Sequence, residues 1–272
     1  MRPNPLPLAD RLRTNLVQAL PFFLGTILFG SLALLASLFD RHGRVQHRIA
    51  RLWAKASVWS SGSRVQVIGL ENIPSVLTEK GSQIGSAEGL RPHVQCAVYA
   101  ANHTSYMDTP VVFASLPFQF RILAKKELWS IPFIGWYLNH SGQIPIDTAN
   151  PRATLSSLGN GVRALRDGLS VFVFPEGGRT PDGQLQPFMN GAAYLAIRAQ
   201  VPLVPIALIG VYDLLPMHTR HFYLTRIPLK LVIGAPLSTK GRTLRESEAL
   251  TEELRKCIAE LIELHGGTVG LG

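Results

Sequence analysis

The sequence predicts an α/β fold, a central mixed sheet flanked by helices, and three observations lead there. Short apolar runs bounded by turn residues alternate with longer segments of helical periodicity between residues 64 and 265. That alternation builds a sheet covered by helices. With 272 residues and 46% hydrophobic content, the chain can bury a sizeable core. Ahead of this part lies an uncharged stretch, Thr14 to Phe39, the start of an N-terminal hydrophobic, membrane-associated helical segment. The chain therefore divides into membrane-associating helices over 1–62 and an α/β domain over 63–272.

Thr14 to Phe39 runs 26 residues without a charge. As a helix it measures about 39 Å, against roughly 30 Å of bilayer hydrocarbon. Pro21, Gly25 and Gly30 are kink points, so a span and a re-entrant or in-plane hairpin both remain open. The run is too long for a cleaved signal peptide. A basic block follows: Arg41, Arg44, Arg48, Arg51 and Lys55, with His42 and His47. It is interleaved with Val45, Ile49, Leu52, Trp53, Ala56 and Trp59, which reads as an amphipathic helix at an interface. Five cations follow the apolar run and three precede it, a bias that puts the α/β domain on the cytoplasmic face.

Arg64 to Gly69 alternates as a strand, and Thr78 to His93 is a polar, glycine-containing loop. Cys96 to Ala101 is an apolar strand that runs into a turn and a helix over 108–116. Phe120 to Ala124 is a further strand, and Trp129 to Leu138 is aromatic but broken by Pro132 and Gly135. Pro151 to Asp167 carries Leu155, Leu158, Val162 and Leu165 at helical spacing and stops at Gly168. A strand over 171–174, a helix over 191–200 and a strand over 203–211 follow, and Leu229 to Ile233 closes the sheet. Thr243 to His265 is an amphipathic helix with Leu250, Leu254, Ile258, Leu261 and Ile262 inside.

The net charge of +9 and mean hydropathy of +0.17 suit an anionic membrane surface or a phosphate-bearing substrate. Nucleic acid is disfavoured, since aromatics are sparse and no recognition motif is present. Cys96 and Cys257 form no framework and read as inert thiols. No histidine spacing predicts a metal site; His218 and His221 are three apart, but in a loop.

Two stretches carry the chemistry. In Asn102-His103-Thr104-Ser105-Tyr106-Met107-Asp108, the acid follows the histidine by five residues, so a turn between them lets the carboxylate reach the imidazole. One ring nitrogen is then held and the other serves as a base. By spacing alone, His103 reads equally as a turn histidine and Asp108 as a first-turn carboxylate. The second stretch is Val171-Phe172-Val173-Phe174-Pro175-Glu176-Gly177-Gly178-Arg179-Thr180, a strand running into a turn with one acid and one cation. Weaker blocks lie at Lys125-Lys126-Glu127-Leu128 with Ile131 to Trp136, and at Val201 to Ala207. Together these four blocks resemble the glycerolipid acyltransferases, in particular the lysophosphatidic acid acyltransferases, over roughly residues 95–236.

The resemblance implies transfer of a fatty acyl chain from acyl-CoA or acyl-carrier protein to a lysophospholipid acceptor. The acceptor expected is 1-acylglycerol 3-phosphate at its sn-2 hydroxyl, and the product is phosphatidic acid. No cofactor beyond the acyl donor, no metal and no nucleic acid are expected; membrane lipid is the expected partner. His103 is then the general base and Asp108 its orienting acid, without an acyl-enzyme. No G-x-S-x-G elbow surrounds Ser105, which points the same way. Arg179 is the candidate phosphate ligand, since a guanidinium presents a planar fork of donors. Glu176 binds a glycerol hydroxyl or holds Arg179, Gly177 lets backbone approach a ligand, and Lys125 and Lys126 add phosphate contacts. Trp129, Phe133 and Trp136 are core, membrane-facing or acyl-groove residues. Two cations common in the family are missing: Met189 and Thr148 stand in their places. That keeps an acceptor with another head group, such as a lyso-ornithine lipid, and a non-catalytic lipid-binding module as alternatives.

Overall fold

The computed structural model of the chain describes residues 12, 14–40, 42–76, 93–147, 149–217 and 228–269. Most of the polar loop expected over 78–93, together with Thr148, His218 and His221, lies outside the described residues.

The centre is a seven-stranded mixed sheet. In chain order its strands are β1 (Val65–Ile68), β4 (Val98–Ala101), β5 (Phe120–Lys125), β6 (Ile144–Ile146), β7 (Ser170–Val173), β8 (Leu203–Ile209) and β9 (Leu229–Ile233). Across the sheet the order is β1-β9-β8-β4-β7-β5-β6. Neighbours are parallel except β8 and β9, which are antiparallel. The short strands β2 (Ser75–Val76) and β3 (His93–Val94) form a separate antiparallel pair. β9 does not close the sheet: β1 pairs outside it, and β6 is the opposite edge. Pro145 sits inside β6, and proline is tolerated in a strand at an edge.

Helices cover both faces, which is why the central strands β4 and β7 are buried at every residue. Tyr99 and Ala101 pack with Val111 and Val112 of α3 (Asp108–Ser115) on one face. Val98 and Ala100 pack on the other face with Leu158 and Leu165 of α5 (Pro151–Arg166) and Leu195 of α6 (Gly191–Ala199). Leu250, Leu254, Ile258 and Ile262 of α8 (Ser247–Leu264) complete that layer, as their spacing predicts. Two shorter helices, α4 (Ile134–His140) and α7 (Val211–Leu214), occupy connections.

The N-terminal run is one helix, α1 (Asn15–Ala36), π-helical in its first five residues. It folds back on α2 (Arg44–Ser60): the Phe22 and Trp53 rings lie 5.6 Å apart, and the Trp53 Nε1–H donates to Thr26 Oγ1 at 3.1 Å. α2 in turn seats Ala50, Ala54 and Val58 in the sheet core. Its buried face also holds Gln46, His47 and Ser57, while Val45, Leu52 and Trp59 are exposed beside Arg44, Arg48 and Lys55. On α1, Leu16, Val17, Leu20, Phe23, Leu24, Ile27, Leu28 and Leu35 are exposed, and Gly30 and Ala33 are buried.

Candidate active site

Three parallel neighbours, β4, β7 and β5, deliver the motif residues. Their register pairs Ala100 with Val173 and Ile122 with Phe172. The loops after β4 and β7 and the end of β5 therefore emerge at one level, at the carboxyl ends of the strands, where open α/β sheets bind ligands. That puts His103, Glu176, Arg179 and Lys125 on the same edge.

The turn after β4 is fastened from both sides. The Asn102 side chain donates to Leu208 O at 3.0 Å and accepts from Leu208 N–H at 2.8 Å, extending the β4–β8 ladder by one rung. The Ser105 hydroxyl donates to Leu215 O at 2.8 Å and accepts from Met107 N–H at 3.1 Å. Both capacities of Ser105 are used in structure, and its side chain is fully buried.

Asp108 opens α3 and is completely buried. Its Oδ2 accepts three hydrogen bonds: from Thr104 N–H at 2.6 Å, Ser105 N–H at 2.7 Å and the His103 imidazole Nδ1 at 2.8 Å. Oδ2 already accepts from two backbone amides, so it is the acceptor towards the ring as well, and Nδ1 donates to it. The ring stacks on Phe174, centroids 4.0 Å apart and planes at 15°, and remains 15% exposed. The ring is thus held through Nδ1, and Nε2 makes no hydrogen bond among the described residues.

Glu176 reaches back across the gap between the two loops. Its carboxylate accepts from His103 N–H at 2.7 Å and from Gln186 N–H at 3.2 Å. Burial pushes its carboxyl up to about 8, partly countered by those two amides. The Thr180 N–H donates to His103 O at 2.9 Å, so the histidine backbone is held at both its polar groups. Glu176 does not hold Arg179 by an ion pair: among the described residues its hydrogen bonds go to backbone amides.

Arg179 lies over the Tyr106 ring, its guanidinium carbon 3.7 Å from the centroid. Gly177 adopts φ +70°, a left-handed conformation suited to glycine, and a Cβ there would sit 2.8 Å from the Met189 methyl. The Lys125 ammonium approaches the same turn, 3.7 Å from where a Gly178 Cβ would be. Lys126 leaves the group: it is ion-paired with Asp147 on the surface. Of the aromatic cluster, Phe133 packs on Gly30 of α1 at φ +63°, and Trp136 meets it edge-on at 4.7 Å. Tyr106 and Gln186 went unnoticed in the sequence. Tyr106 carries a detectable signal, an aromatic between the histidine and the acid. Gln186 contributes only its backbone amide, which no sequence pattern marks.

A sequence model of the acyltransferase family, described as Acyltransferase, matches residues 64–209. The chloroplastic 1-acyl-sn-glycerol-3-phosphate acyltransferase of Brassica napus is 32% identical over 84% of this chain and 59% of its own length. Its counterpart from Arabidopsis thaliana is 32% identical over 84% of the chain and 57% of its own length. The chain thus spans less than two thirds of the length of these two plant relatives. A 1-acyl-sn-glycerol-3-phosphate acyltransferase of Pseudomonas aeruginosa is 30% identical over 71% of the chain and 67% of its own length. The crystal structure of the 1-acyl-sn-glycerophosphate (LPA) acyltransferase PlsC from Thermotoga maritima shares the fold. Its TM-score is 0.73 at 24% identity, covering 96% of this chain and 99% of that one. With the match running over more than half of its length, this chain belongs to the acyltransferase family.

Proposed function

We propose that this protein is a membrane-associated O-acyltransferase that acylates the sn-2 hydroxyl of 1-acylglycerol 3-phosphate, giving phosphatidic acid. The observation that carries the reading is the 2.8 Å bond from His103 Nδ1 to a buried Asp108. It leaves Nε2 without a hydrogen bond among the described residues, on a ring that stays partly exposed. The names of the relatives support the acceptor.

In this mechanism Nε2 takes the acceptor's hydroxyl proton as its oxygen attacks the thioester carbonyl. The imidazolium that forms is stabilised by the Asp108 carboxylate. The tetrahedral intermediate then collapses: the carbon–sulfur bond breaks, and the departing thiolate takes the proton from Nε2. Acyl-CoA and acyl-carrier protein both present such a thioester. Ser105 is not the nucleophile in this scheme, because its hydroxyl is spent on Leu215 O and buried. Arg179 and Lys125 neutralise the acceptor phosphate.

The exposed apolar surface of α1 supports membrane association: the helix has 22 residues, with an 18-residue stretch at a mean hydropathy of 2.1, long enough to cross by length and composition. The exposed Trp59, Arg44, Arg48 and Lys55 on α2 suit a head-group layer. The cation bias about α1 supports a cytoplasmic active site. A second acceptor class stays in view because Met189 sets an apolar group against Gly177, where a further cation is common in the family.

The test is purified protein in detergent, given labelled acyl-CoA or acyl-carrier protein and a panel of lyso-lipids. Acylation of lysophosphatidic acid, lost in His103→Ala, is expected. Acylation of phosphate-free acceptors only would move the substrate. Undiminished transfer by His103→Ala would refute the general-base assignment.

A further inference from the structure

Four of the five residues that follow His103 are buried: Thr104, Ser105, Met107 and Asp108. Tyr106 is the exception, 46% exposed. Its hydroxyl makes no hydrogen bond among the described residues, so what the fold uses is the ring. The Arg179 guanidinium carbon lies over that face, 3.7 Å from the centroid. Among the described residues Arg179 pairs with no carboxylate and donates no hydrogen bond, and its Nε is buried without a partner. A cation so placed is held by an aromatic face alone, which leaves the edge of the guanidinium, where its donors lie, for an anion.

We propose that Tyr106 is a positioning residue that sets the plane of Arg179 for the acceptor's phosphomonoester. The proposal rests on the reading of Arg179 as the ligand of that phosphate. Tyr106 belongs to the same rigid turn as the base: Asp108 Oδ2 binds the amides of Thr104 and Ser105 on one side of it, and Ser105 Oγ accepts the Met107 amide on the other. One short loop therefore fixes both the nitrogen that takes the proton and the platform under the phosphate ligand. In 1-acylglycerol 3-phosphate the free hydroxyl and the phosphate sit on adjacent carbons, so the span between base and guanidinium has one correct value. A guanidinium lying on the Tyr106 ring keeps to it, whereas a long, freely rotating arginine samples many others.

The experiment is steady-state kinetics with lysophosphatidic acid on the wild type, Tyr106→Leu, Tyr106→Phe and Arg179→Ala, at saturating acyl donor. Tyr106→Leu keeps an apolar bulk and removes the quadrupole. It should raise the acceptor KM about 3- to 10-fold, the scale of a partly exposed cation–π contact, while kcat stays near wild type. Tyr106→Phe, which keeps the ring face, should restore the acceptor KM. An unchanged KM in Tyr106→Leu beside a raised KM in Arg179→Ala overturns the platform and leaves the phosphate assignment standing. An unchanged KM in Arg179→Ala removes the phosphate assignment and the platform with it. A fall in kcat in Tyr106→Leu without a KM change shows that the ring supports the His103 turn instead, and also overturns the proposal.

Discussion

Asp108 offers the sharpest separation of structure from catalysis. Its Oδ2 accepts from two backbone amides and from His103 Nδ1, all within 2.8 Å, and the residue itself is fully buried. Asp108→Ala strands three donors, at about 1–3 kcal/mol each, against a total stability of roughly 5–15 kcal/mol. That variant will fold poorly and says little about mechanism. Asp108→Asn behaves differently. Its side-chain oxygen can occupy the Oδ2 position and keep all three bonds. Its new NH2 takes the Oδ1 position, which is buried with no partner among the described residues, at a cost of about 1–3 kcal/mol. What Asn cannot supply is the negative charge that stabilises the imidazolium, so kcat should fall by about 10²-fold or more. Thermal unfolding in detergent and transfer to lysophosphatidic acid at saturating donor measure the two effects apart. The double variant His103→Ala/Asp108→Asn should be little slower than His103→Ala, because residues acting as a unit are not additive. A single Asp108→Asn variant retaining kcat within about threefold would refute the reasoning, as would a double variant with multiplied losses.

Two further outcomes follow from the turn after β7. Gly177→Ala places a side chain at φ +70° and pushes on the Met189 thioether, so it should lose about 1–2 kcal/mol from the backbone plus a contact penalty. Unfolding midpoints in a Met189→Ala background should show the contact part relieved and the backbone part intact; equal losses in both backgrounds would remove Met189 from the account. Glu176 provides a pH signature. Its carboxyl is raised from 4.5 to about 8, so the folded state holds the proton more tightly than the unfolded chain. The stabilisation is therefore fully present below the unfolded value and is lost as pH rises towards about 8. Glu176→Gln does not titrate, so the midpoint of the wild type should fall relative to this variant across that window; parallel profiles would show that the carboxyl ionises normally.

The sequence made the strands and helices legible because each is periodic or bounded by punctuation. Gly168 ends α5 and Pro151 starts it; Leu250, Leu254 and Ile258 recur at helical spacing in α8. What could not be read was order across the sheet. β5 and β7 are separated in the chain by α4, the edge strand β6 and α5, yet they are neighbours, and only that adjacency brings Lys125 beside Gly178. The pairing of His103 with Asp108 was compatible with a five-residue spacing but became legible only beside the second motif, Phe174 to Arg179. The destination of Glu176 was not legible, since its partners are backbone amides and any residue type can supply those. Lys125 and Lys126 look alike in sequence, but adjacent side chains at a strand end diverge, and Asp147 captures the second.

The buried face of α2 was the least legible element, and the reason bears on how the active site meets lipid. Sequence reading follows large apolar residues, and on α2 three of those, Val45, Leu52 and Trp59, are exposed. The face that seats on the core uses Val58 together with Ala50, Ala54 and Ser57, whose small side chains let the helix approach its neighbours closely. A helix that docks by small residues can turn its large ones outward. α1 repeats the arrangement: Gly30 is buried where Phe133 packs, and a Cβ there would stand 2.8 Å from the Phe133 Cβ. Three polar contacts lock the far end of the hairpin. His47 Nε2 meets Phe118 O at 3.1 Å, with its ring held neutral by burial that brings it down to about 4, and both Gln119 and Arg121 donate to His42 O. The apolar surface is therefore fastened to both ends of β5, through 118–121 at its start and through Phe133 beyond its carboxyl end at Lys125. If that surface seats in a bilayer, the depth of His103 is fixed with it, and an amphiphilic acceptor can present its hydroxyl to the base while its acyl chain stays in lipid.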